Sequence, residues 1–279
     1  MTSLLGEAHL NVKGQGKAVS PKVQLWLRAF NEARDSVGSD PVKWSSNLST
    51  RCYEHAQYLL ENKEERGPGN EHTQKVDLGG NHLGSMFAQM AVVETRASLG
   101  KAEDMFETWM SIPGYRDALL NFTSRTIGIY EEKGVLVVNT VAGLGEPLSK
   151  KAGYFCFPRN RQEPVPAEVS VSLIGPELAE LLAANGREGQ RTVGYPLTAH
   201  MGQSVQGDRL SYRCTATTDR GEKIEGAIML DFGEIRRSSA PGLVTFIPFD
   251  PLPRGTIRQV WTWDVDGQQR QMDATFTTK

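Results

Sequence analysis

The stretch from Asp104 to Leu120, DMFETWMSIPGYRDALL, limits the fold more than any other. Met105, Trp109 and Met110 fall on one side of a helix, at spacings of four and one. Pro113-Gly114 stops that helix, because proline has no N–H to donate and glycine turns the chain readily. Tyr115, Arg116 and Asp117 follow the break, ahead of the apolar pair Leu119-Leu120. A helix, a corner and a second helix, with polar side chains at the corner, suit the wall of a pocket. The rest of residues 20–145 can pack around it.

A chain of 279 residues exceeds one typical domain, so two are expected. The net charge is −2 and neither half is basic, which argues against nucleic acid and anionic membrane surfaces as partners. No apolar run approaches the ~20 residues that cross a bilayer, so no transmembrane segment is expected. The first twenty residues lack a basic stretch followed by an apolar core, so they do not read as a signal peptide. The chain then reads as cytosolic, or as one whose signal has been replaced. Cys52, Cys156 and Cys214 form no CxxC and no Cys/His cluster, which disfavours structural zinc. They read as buried thiols acting as small hydrophobes. A Cys52–Cys156 bridge stays open.

Residues 1–19 read as a loose leader. Ser20-Pro21 opens a helix, with serine as cap and proline at its first position, and Val23, Trp26, Leu27, Phe30 and Ala33 form its apolar stripe. A second helix carries Cys52, Ala56 and Leu59, with His55 as a structural residue and Arg51, Glu54, Glu61 and Lys63 on the outer face. Residues 62–84 are polar and glycine-rich, a loop long enough to be functional or mobile. It holds Glu71, His72 and His82. The two histidines could ligate a metal or transfer protons, or simply be solvated. Glu94 stands alone among apolar residues, at a helix end or in a cleft. Thr126–Tyr130 and Val135–Val141 read as a hairpin, the second strand covered on both faces. Together these make an α+β sandwich.

Residues 158–167, PRNRQEPVPA, read as a linker between a domain at 20–157 and one at 168–279. Beyond it come short β-like runs: Val169–Ile174, Arg191–Tyr195, Leu197–Met201, Arg209–Thr217, Lys223–Leu230, Leu243–Pro248, Ile257–Val265 and Met272–Thr278. Glu177–Ala184 has helical periodicity. The pattern is that of an immunoglobulin-like sandwich.

Asn31-Glu-Ala-Arg34, Trp44, CYEHAQYL at 52–59, WMSIPGYR at 109–116 and the strand pair ending at Gly143 occur together in this order. Over residues 20–145 the chain resembles the CAP superfamily of cysteine-rich secretory, antigen 5 and pathogenesis-related proteins, most closely its bacterial SCP-like secreted forms. The tail, with PFDPLPRG at 248–255, Trp261 and Trp263, resembles bacterial Ig-like or fibronectin-like domains. The resemblance implies an α-β-α sandwich, an extracellular or periplasmic location, and a cleft of two histidines and two acids that holds a metal in some members. His72 matches the first histidine and Glu94 one acid. Tyr115 stands where the second histidine is expected, and Ile112 where the second acid lies in some members. No cofactor is expected, since that tyrosine weakens any zinc site built on His72. His82 could replace the missing histidine.

Three readings follow. The first is a non-enzymatic secreted module whose degenerate cleft, with His72, Glu94, Tyr115, Arg116 and His82, binds a small ligand while the Ig-like domain docks to a cell-surface protein or polysaccharide. The second is a hydrolase of peptide or cell-wall material, with His72 as base, Glu94 orienting it and Arg116 stabilising charge. The third is a structural part of an extracellular assembly, with Arg116 and Asp117 as a buried pair.

Overall fold

The computed structural model describes residues 20–66, 70–95, 102–140, 154–200, 212–229, 243–265 and 268–279. The expected leader 1–19, the middle of the loop at 67–69, Gly143 and residues 266–267 lie outside them. The chain forms two compact units. One comprises residues 1–35, 40–109 and 118–148, the other 36–39, 110–117 and 149–279.

In the first unit, helix α1 (Pro21–Ser36) starts where the sequence places it, with the Ser20 hydroxyl accepting from the Val23 N–H. Its buried stripe is Trp26, Phe30 and Arg34. β1 (Lys43–Trp44) follows, then α2 (Ser46–Glu61), capped by the Ser45 hydroxyl, which accepts from the Leu48 N–H. After the loop come α3 (His82–Gln89), β2 (Ala91–Thr95), α4 (Ala102–Ser111) and α5 (Pro113–Leu120), whose residues 110–117 count with the second unit, then β3 (Thr126–Glu132) and β4 (Val135–Asn139). The four strands form one sheet in the order β1-β3-β4-β2, with β1 parallel to β3 and the other pairs antiparallel. All five residues of β4 are buried, as an all-apolar central strand requires. The β3–β4 turn, Lys133-Gly134, has positive φ at both residues (46° and 81°), the twist-matched geometry of a two-residue hairpin.

Helices cover both faces of this sheet. α2 packs Cys52, Ala56 and Leu59 on Val93, Val135 and Val137, with Tyr130 beside them. It approaches so closely that a Cβ on Gly128 would stand 2.6 Å from the backbone of Leu48. Glu131, the next residue after Tyr130, points the opposite way. There its carboxylate accepts from the Trp26 indole at 3.1 Å and pairs with Lys22, both on α1. Trp26 stacks on Trp109 of α4 with ring centroids 5.6 Å apart, and Phe30 meets Phe106 edge-on.

The second unit is mainly antiparallel β-structure: β5 (Phe155–Phe157), β6 (Glu168–Ser170), β7 (Thr192–Gly194), β8 (Leu197–His200), β9 (Tyr212–Thr218), β10 (Gly226–Met229), β11 (Leu243–Pro248), β12 (Gly255–Val265) and β13 (Gln268–Thr278). They pair as β10-β11-β8-β5, β13-β12-β9 and β6-β7. The expected helix is present as Pro176–Ala184. Val171–Ile174, expected to continue a strand, is instead a helical turn, because the β6–β7 pairing ends at Ser170.

The segment 158–167 is bonded along β13 and is not a free tether. Arg161 and Val165 donate their N–H groups to the carbonyls of Thr275 and Thr277, and Val165 is fully buried. The Gln259 amide, also fully buried, donates to the Pro158 carbonyl at 2.7 Å and accepts from the Trp261 indole at 2.8 Å. Phe155–Phe157, placed by sequence at the end of the first domain, is an edge strand of this unit, paired to β8. All three cysteines are free thiols, and burial raises the pKa of each, that of Cys156 to about 12.

Candidate functional site

The Asn31-x-x-Arg34 pattern builds the turn between α1 and β1. The Asn31 amide donates to the Val42 carbonyl and accepts from its N–H, at 3.1 and 2.8 Å. Arg34 is completely buried, and its guanidinium donates to the carbonyls of Asp40 (2.7 Å), Leu119 (2.9 Å) and Asn121 (2.9 Å). It therefore gathers the α1–β1 turn and the end of α5 on one cation, where orphaned helix carbonyls favour positive charge.

The loop 62–84 is strapped to α2. The Arg66 guanidinium caps the helix end at the carbonyls of Leu59 (2.7 Å) and Leu60 (3.1 Å), and the Lys75 N–H donates to the Tyr58 hydroxyl at 3.0 Å. The loop is neither structureless nor uniformly polar, since two 3₁₀ turns occupy Lys63–Glu65 and Val76–Leu78 and α3 begins within it at His82. His55 is the central strap. Its Nε2 lies 2.8 Å from the Glu71 carbonyl, which can only accept, so Nε2 carries the proton. Nδ1 then accepts from the Gln74 amide at 3.0 Å. Burial lowers the His55 pKa to about 4, the Glu71 carbonyl opposes this, and neighbouring His72 lowers it slightly further.

The five residues expected to form a cleft divide between the units. His72, His82 and Glu94 belong to the first, Tyr115 and Arg116 to the second. His72 is 7% exposed, its Nδ1 facing the Ala88 carbonyl at 3.4 Å. Burial lowers its pKa, with backbone groups of Ala88 and Ala91 acting the other way. His82 is exposed at the first residue of α3, whereas Ala88 is near the other end of that helix. Glu94 is half-buried on β2, opposite Leu136. Tyr115 is buried. Arg116 is 1% exposed, donates to the carbonyls of Met110 (2.7 Å) and Pro196 (3.0 Å) and to the Thr198 hydroxyl (2.9 Å), and stacks over Phe157 and Tyr195. Its Nε and Nη1 meet these acceptors, and no ion pair joins it to Asp117.

A groove of about 750 Å³ opens in the first unit between α2, the 3₁₀ turn at Val76–Leu78 and α3. Tyr58 and Phe87 line it as nearly buried rings, with Leu83, Met86 and Met90 of α3 beside them. Leu83 is 71% exposed and Met86 47%, so the groove has an apolar lip. Gln57, Glu54 and Glu61 of α2 and Gln74 of the loop supply its polar atoms. Gln74 lies against Gly84 so tightly that a Cβ there would come 2.0 Å from its Oε1. None of the five expected residues lines this groove. Its sequence signal was the spacing Leu83, Met86, Phe87, Met90, at i, i+3, i+4 and i+7, which marks a helix face.

Most of the motif residues and of the α2–sheet packing lie within one stretch of sequence. Residues 27–134 match the model of the CAP family, the cysteine-rich secretory protein family. No curated protein and no solved structure matches the chain. CAP proteins are typically extracellular, and no helix among the described residues is long and apolar enough to cross a membrane.

At Nδ1 the His72 ring faces the Ala88 carbonyl oxygen, which can only accept, so that nitrogen carries the proton. Among the described residues, no three His, Cys, Asp or Glu side chains are grouped to hold an ion. Arg116 is held as a structural side chain, with a consequence that calorimetry can read. Arg116→Lys keeps the charge but loses the planar fork, and should cost about 2 kcal/mol of stability. Equal unfolding temperatures for the two proteins would contradict this.

Proposed function

We propose that the chain is a secreted bacterial CAP-domain protein that acts as a non-enzymatic ligand-binding or interaction module, and that its ligand enters the α2–α3 groove. The observation that carries this reading is the groove itself. Its volume of about 750 Å³ and its mixture of aromatic, thioether and amide groups are those of a small-molecule site. Support comes also from His72, which is buried and already hydrogen-bonded and so is poorly placed to take a proton from a substrate. The cleft expected around His72 and Tyr115 is thus degenerate, and binding moves to the neighbouring face of α2. The antiparallel sheets of the second unit suit an Ig-like module that docks to a cell-surface protein or polysaccharide.

The test is a ligand screen read by NMR of ¹³C-methyl methionine. Hits should shift the Met86 and Met90 methyls, and Met86→Arg should abolish the remaining Met90 shift while leaving the unfolding temperature unchanged. Hits that shift neither methyl, or that survive Met86→Arg, would place binding elsewhere and defeat the proposal.

A further inference from the structure

The groove has a charge and hydrogen-bond character that selects among ligands. Among the described residues that line it the only cation is Arg51, which is bonded to Glu54 at 2.8 Å, and Glu61 carries a second carboxylate on the same side of α2. The lining charges thus sum to a net negative groove. The Gln57 amide donates to the Glu132 carboxylate at 2.9 Å and the Gln74 amide to His55 at 3.0 Å. Tyr53, Tyr58 and Phe87 supply rings, and Leu83, Met86 and Met90 supply apolar surface. Carboxylates and π faces both attract positive charge, and a ring face is most effective where the cation is partly desolvated.

We infer that the groove binds a small hydrophobic cation, an apolar body of the Leu83–Met90 side bearing an ammonium group that faces Glu54, Glu61 and the tyrosines. This rests on the groove being the binding site proposed above. The apolar tail would lie along α3 and the head along α2. An anionic amphiphile of equal size would bring its charge against two carboxylates and is disfavoured.

Three probes with the same tail test the inference on the full chain: octyltrimethylammonium, octyl sulfate and 1-octanol, below their aggregation limits. Affinity is read from the Met86 and Met90 methyl resonances. The cation is expected to bind at least about tenfold more tightly than the sulfate. The double variant Glu54→Gln/Glu61→Gln should erase that preference and leave 1-octanol affinity unchanged. Equal affinity for the two ions, or a preference that survives the double variant, would overturn the cation assignment. If 1-octanol then still titrates both methyls, the groove stands as a binding site without charge selection. If none of the three probes moves either methyl, the cation assignment and the groove fail together.

Discussion

Replacing Arg34 with methionine should lower the stability of the first unit by about 3–5 kcal/mol. The guanidinium is fully buried and serves the carbonyls of Asp40, Leu119 and Asn121 simultaneously. Methionine fills similar space but donates nothing, so those oxygens become buried acceptors without a proton. Each such orphan costs about 1–3 kcal/mol, and partial relaxation toward other donors keeps the total below the full sum. Burial and the nearby charge of Arg125 lower the Arg34 pKa to about 10, with burial the larger cause, yet it stays protonated at neutral pH. Arg34→Lys should recover only a minority of the loss, since an ammonium cannot present a planar fork to acceptors on two elements. Urea denaturation of the three proteins measures this directly. A loss below about 1 kcal/mol for the methionine variant would mean that the carbonyls find other partners, and that Arg34 is not the clamp described.

The Asn31-x-x-Arg34 pattern shows what was legible in the sequence. The pattern itself was visible, but the apolar stripe read for the first helix ended at Ala33, whereas the buried residue there is Arg34, four beyond Phe30. The Ser20 cap, the all-apolar β4 and the Lys133-Gly134 turn were local, and local physics fixed them. The candidate site was read less well. His72 and Tyr115 are chemically capable side chains, but capability does not reveal exposure, and both are buried. The groove escaped notice because Gly79, Gly80 and Gly84 read as loop-formers and masked the helical stripe of α3. Gly84 is inside that helix because Gln74 leaves no room for a Cβ. That contact spans ten residues across the loop and carries no sequence signature. The same holds for segment 158–167, whose prolines suggest a tether while its buried Val165 and its bonds to β13 depend on a strand more than a hundred residues away.

Acid should unfold the first unit before carboxylate protonation alone would require it. His55 is neutral in the fold, with a pKa of about 4, against a value near 6.5 in the unfolded chain. Between those two pH values the unfolded state binds the extra proton. The stabilisation is therefore fully present above about pH 6.5 and is lost progressively as pH falls toward 4. The size of the shift makes this loss about 3 kcal/mol. His72 is displaced in the same direction by the same cause and adds to the slope. The protonated ring would also set an N–H at Nδ1 against the Gln74 NH₂, breaking the bond that holds the loop over the groove. In His55→Gln, the side-chain amide can still donate toward the Glu71 carbonyl but does not titrate. Its stability at pH 7 should fall by about 1–2 kcal/mol, and its decline from pH 6.5 to 4 should be shallower than that of the wild type. The comparison is made by denaturant titration at half-unit pH steps, where carboxylates contribute equally to both proteins and cancel. Parallel pH profiles would show that His55 takes up its proton without cost, and that the loop is held by Arg66 and Tyr58 instead. A shallower profile would identify His55 as the group through which acid releases the loop that carries Gln74 along the groove.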